Sequence, residues 1–132
     1  MSNNNMAQSW AALAGIVLVA AGLLGFLNTS IIGEADNALV RTGTVHNIVH
    51  LITGLVALYI AFGLRGSQQT NAVLGFGVLY ALILVAVLVS PTLFGLFSVA
   101  SNASVHVIHA AVALVSLAVG YLARGNASVM AR

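Results

Sequence analysis

The stretch VHNIVHLITGLVALYIAFGL, residues 45–64, decides the fold. It carries no charged side chain, and past its first turns it is almost wholly apolar. A helix rises about 1.5 Å per residue, so about 20 such residues cross the hydrocarbon core of a bilayer. Three further runs read the same way: Trp10 to Leu27, Ala72 to Val89 (stopped by Ser90-Pro91) and Val105 to Ala123. None contains a charged residue. In lipid every backbone amide must be satisfied within the segment, which makes each run a helix. The strand alternation of a membrane barrel is absent, because apolar residues follow one another directly. The expected architecture is an all-α integral membrane protein: a four-transmembrane-helix bundle forming a single domain over residues 1–132.

Composition excludes the alternatives. Of 132 residues, 61% are hydrophobic and 5% charged, with four arginines, no lysine and two acids. Soluble domains carry about a quarter charged residues, and disordered chains combine low hydrophobicity with high charge. No basic cluster exists, so nucleic acid is not a partner. The absence of cysteine removes disulfides and thiolate metal sites. The partner implied is the lipid bilayer, together with a larger membrane complex or a second copy if the chain is an accessory subunit. The first run reads as a retained span rather than a signal peptide, since no Lys or Arg precedes it and it is long for an h-region.

With four spans, Arg65, Arg124 and Arg132 share a side with both termini, while Arg41, Glu34 and Asp36 lie opposite. The positive-inside rule then puts both termini in the cytoplasm. The connection from Ser90 to Ser104 keeps Leu93, Phe94, Leu96 and Phe97, so it is expected at the interface or folded over the bundle end.

Laying the second span on the fourth at an offset of 59 pairs His50 with His109, Leu55 with Leu114, Val56 with Val115, Leu58 with Leu117, Arg65 with Arg124 and Gly66 with Gly125. Spans one and three offer only Gly15 over Gly75. Such a pattern fits two parallel helical-hairpin repeats related by an axis along the membrane normal, with spans two and four diagonal. Ala11/Gly15, Ala21/Gly25 and Ser116/Gly120 are small-residue pairs suited to close helix contact within the chain. Trp10, Tyr59 and Tyr121 read as interfacial anchors, and the triplets at Asn28, Asn102 and Asn126 as chance glycosylation matches.

All four histidines fall at one depth. His46 and His50 occupy the first turns of span two, and His106 and His109 those of span four. Spacings of four and three residues put each pair on one helix face. Ionisable residues inside a membrane are costly and mark function. A helix N-terminus and a low dielectric both disfavour protonated imidazole, and neutral imidazole is the form that ligates transition metals. Two ligands suit the layer. One is a transition metal (Zn, Cu, Ni or Fe) on His46, His50, His106 and His109, with Glu34 or Asp36 as an extra ligand. The other is haem b between His50 and His109, on diagonal helices about 13 Å apart given neighbours at 8–10 Å. Small residues at Thr53, Gly54, Ala110, Ala111 and Ala113 would flank that haem, and Arg41 would meet a propionate. A bland alternative is a polar cluster that only ties spans two and four together. An ion path is disfavoured, because both spans turn apolar below Thr53 and His109. No Ser-His-Asp set or catalytic carboxylate pair can be assembled, which points to binding rather than catalysis.

Gly22-Leu-Leu-Gly-Phe26, the opening Val45-His-Asn-Ile-Val-His-Leu-Ile-Thr-Gly-Leu55 and the segment Asn102-Ala-Ser-Val-His-Val-Ile-His109 together resemble a family of small bacterial four-helix membrane proteins catalogued as a domain of unknown function. The resemblance spans nearly the whole chain. It carries over His46, Asn47, His50 and Gly54 most directly, and His106 and His109 more loosely. It implies a four-helix fold and a bacterial inner-membrane location, and it brings no activity or cofactor.

Overall fold

The structure, a computed structural model, describes residues 3–96 and 99–130. Phe97 and Arg132 lie outside the described residues, as do the side chains of the 126–128 triplet. Four helices appear in chain order: α1 (Asn3–Gly25), α2 (Thr44–Gly63), α3 (Gly66–Val89) and α4 (Ala103–Met130). Each is long and apolar enough to cross a membrane. Two short strands, β1 (Ile32–Gly33) and β2 (Val40–Arg41), pair in parallel within the α1–α2 connection. The protein is an all-α, four-span membrane bundle.

The helices pack as two antiparallel hairpins, α1 on α2 and α3 on α4. Between described residues α2 and α4 make no close backbone approach, which leaves them diagonal. Lipid tails are as apolar as leucine, so association here relies on close packing rather than on burying oil from water. Glycines supply that closeness. Leu58 of α2 lies over Gly15 of α1, and Leu117 of α4 lies over Gly77 of α3. These two leucines are the pair matched at an offset of 59, so each hairpin uses the same knob. Their glycine partners are Gly15 and Gly77, not Gly15 and Gly75. Gly75 faces open space, so the glycine of α3 that receives the leucine is Gly77. The large apolar side chains left outside, such as Ile16, Leu23, Leu55 and Leu114, form the lipid-facing surface.

Two features depart from the expected spans. The polar segment before Trp10 is already helical, and the expected Arg65–Asn71 connection is mostly the start of α3. The reason is Gln69. It is 1% exposed and its Nε2 donates to the carbonyls of Ile60, Ala61 and Leu64 at 3.0, 3.0 and 3.1 Å. The last carbonyls of a helix lack intrahelical partners, and Gln69 meets them at the end of α2. Gln8 of α1 donates to Ala61 as well, at 3.1 Å. Gln69→Leu is expected to lower stability by about 1–3 kcal/mol, the cost of leaving buried carbonyls unmet. Thermal unfolding in detergent measures it.

Beside the Gln69 bonds from α3 to α2, two further polar bonds tie the hairpins across the bundle. Trp10 Nε1 donates to Ser116 Oγ at 2.8 Å, so Trp10 links α1 to α4 rather than serving only as an interfacial anchor. Tyr59 and Tyr121, by contrast, are exposed. Thr53 and Tyr80 join α2 to α3 through their hydroxyls at 2.8 Å.

Candidate metal centre

The two helices that open with histidine do so at the same end of the bundle, and their starts are built by different means. Asn102 caps α4, its Oδ1 accepting from Val105 N–H at 3.2 Å. Its Nδ2 donates to the carbonyls of Ala38 and Leu39, which fastens the α1–α2 connection to the start of α4. Residues 99–102 lead into α4 and bring the Ala100 carbonyl onto His46. Asn102→Ala is expected to cost about 1–2 kcal/mol through the lost cap, read as a lower unfolding temperature.

His46, His50 and His109 are 4, 6 and 8% exposed. Their ring centroids are 4.4 Å apart for His46–His50, 5.4 Å for His46–His109 and 5.8 Å for His50–His109. Each offers one ring nitrogen such that the three atoms lie within 4.8 Å of one another. Side chains from diagonal helices thus meet on the bundle axis. His106 is half-buried and stands outside this trio. One turn of helix brings residues three apart to about 60° of each other rather than into line, so His109 faces the axis and His106 is rotated away from it.

The hydrogen bonds around the trio are incomplete. His46 Nδ1–H donates to Ala100 O at 2.8 Å, which leaves Nε2 as a lone pair. That nitrogen, and both nitrogens of His50, are buried without a partner among the described residues. Buried polar side-chain atoms are paired in the large majority of cases. One nitrogen each from His46, His50 and His109 makes a three-atom set that could hold a metal ion, with the Ala100 bond as the kind of outer contact that orients a ligating histidine.

Tyr80 completes the floor. It is 2% exposed and its ring is 5.8 Å from that of His109. Thr53 spends its hydroxyl hydrogen on Val49 O at 2.8 Å, so the Tyr80 hydroxyl donates to Thr53. Sequence reasoning did not single out Tyr80. The signal was there: one hydroxyl among aliphatic residues well inside an apolar run. Beside the trio opens a cavity of about 480 Å³, walled by Val45, Ile48, Ile83, Val87 and Val105 among others.

The remaining expected ligands lie elsewhere. Glu34 and Asp36 are exposed on the α1–α2 connection. Arg41 pairs with Asp36 at 2.9 Å and donates to Glu34 O at 3.4 Å. Among the described residues, no carboxylate joins the histidine group.

Residues 8–122 match the family described as a domain of unknown function, DUF4383. The chain belongs to the DUF4383 family. Comparison with curated proteins and with solved structures finds no match. The DUF4383 match covers all four spans and the three converging histidines, and it assigns them no chemistry.

Proposed function

We propose that this DUF4383 chain is a bacterial inner-membrane protein, termini in the cytoplasm, that binds a transition metal ion through His46, His50 and His109. His106, on the same helix as His109, stands beside this set and not within it. The observation that carries the reading is the set of buried, unpartnered nitrogens on His46 and His50 beside His109. Imidazole donors suit Zn, Cu, Ni and Fe. Tetrahedral zinc at about 2.0–2.1 Å from nitrogen sets its ligands about 3.3 Å apart, so modest rotation of the rings closes the site. Three protein ligands leave a coordination position open, as in binding or catalytic centres rather than closed structural ones.

Haem b between His50 and His109 fits this arrangement less well. The His46 ring, 4.4 Å and 5.4 Å from the other two, takes up space a porphyrin between them needs. Arg41, the residue for a propionate, is engaged by Asp36. A purely structural or accessory role is the alternative, and unpartnered buried nitrogens count against it, since a structural cluster gains by satisfying its members.

One purified sample in non-ionic detergent tests these readings by elemental analysis and absorption spectrum. The expected result is one transition metal ion per chain, removable by chelator, with no Soret band. A Soret band would move the assignment to haem. Protein that is metal-free and takes up no Zn, Cu, Ni or Fe at micromolar concentration leaves the accessory role, with a constant larger partner or oligomer on a native gel.

A further inference from the structure

The histidine trio carries no negative charge, and this raises a question of charge balance. A divalent ion on three neutral imidazoles keeps both its charges inside a low-dielectric bundle. An uncompensated buried charge is costly, and paired anions are the ordinary remedy. The chain's own acids do not supply one: Glu34 and Asp36 are exposed, and Asp36 is already paired with Arg41. His106, Tyr80 and Thr53, the other polar groups named near the trio, are not carboxylates. The open coordination position therefore calls for an anion from outside the chain.

The cavity states which kind. It holds about 480 Å³, within the roughly 300–1,000 Å³ of ordinary ligand sites. Its polar lining is confined to the histidines, Tyr80 and Ser101. The rest is Val, Ile and Leu from α2, α3 and α4, with Leu93 and Val99 from between α3 and α4. Its α2 wall includes Ile48 and Val49, exposed at 45% and 36% on a spanning helix, so the mouth lies on the hydrocarbon side between α2 and α3. Water-soluble anions gain nothing from such walls. A single anionic head on an alkyl chain satisfies both ends.

We infer that the site takes a long-chain monocarboxylate from the bilayer, its carboxylate on the metal held by His46, His50 and His109 and its alkyl chain in the cavity between α2 and α3. This rests on the metal reading above. Tyr80 spends its own hydrogen on Thr53, so the carboxylate is held by the metal and not by the phenol.

The probe is Co(II), whose visible bands report its ligands, loaded into the purified full chain. Oleate at micromolar concentration is expected to shift those bands. Acetate should need about 100-fold more or greater, because it lacks the buried methylenes, and methyl oleate, with no free carboxylate, should be silent. Ile83→Trp, which fills the cavity from α3, should abolish the oleate response with Co(II) uptake intact. Val49→Trp at the mouth does the same from α2, should the first variant fold poorly. Bands indifferent to oleate, or equally responsive to acetate, overturn the inference while leaving the metal centre standing. A chain that takes up no Co(II) overturns both.

Discussion

Replacing His50 with alanine is expected to weaken metal binding by about two to three orders of magnitude. Structural zinc sites of four ligands are worth roughly 10–16 kcal/mol, or about 2.5–4 kcal/mol for each ligand. His50 has the other two rings at 4.4 Å and 5.8 Å and no competing hydrogen bond on either nitrogen among the described residues. Competition against a chelator of known affinity measures the loss. His109→Ala should fall equally far, since it removes the only trio member from α4. His106→Ala should fall less; an equal loss would make His106 a full ligand. The metal-free protein should respond in the opposite sense. His50→Leu removes unsatisfied buried polar atoms, and replacing such groups by apolar ones is neutral or stabilising. Unchanged or raised thermal stability with lost metal binding is therefore the joint signature of a ligand, whereas a structural tie would lose stability.

The second large effect belongs to Gly54. A Cβ there would lie 2.7 Å from Val19 Cγ2 and 2.8 Å from Val19 N. The second of these is backbone, so no rotamer change relieves it and α1 must move off α2. Overpacking of this kind costs about 1–3 kcal/mol, and Gly54→Val should reach the top of that range or exceed it. Gly75→Ala is the matched control. Its Cβ meets open space, and alanine is favoured over glycine in a helix by about 1 kcal/mol, so stability should hold or rise. Because Thr53 and His50 lie in the turn beside Gly54, the Gly54→Val variant should also bind metal more weakly. Unfolding temperatures of the two glycine variants in the same detergent decide the matter.

The four spans were legible because lipid permits only one reading of long, uncharged apolar runs. The depth of the histidines followed from where those runs begin. Convergence of the trio did not. Helical spacing says that His106 and His109 share a face, but which of them points at the axis depends on the rotation of α4. That rotation is set by Gly77 against Leu117 and Gly120 against Leu74, contacts between helices that no single run displays. Residues 66–71 looked like a loop for a similar reason. Their polar side chains suggest water, whereas Gln69 spends its amide on carbonyls of α2. The α1–α2 connection also folds beyond what spacing suggested, held by Asn102 from a distant part of the chain.

The division of the bundle into two hairpins places His46 and His50 in one and His109 in the other. A metal on all three, as proposed, would be a clasp between the two hairpins. Whatever binds the docked arrangement and not the separated one stabilises docking by mass action. On the proposed function, metal supply would then set how firmly the two hairpins hold together. A chain severed within the two-residue link at Leu64–Arg65 should reassemble from its hairpins more completely when metal is present.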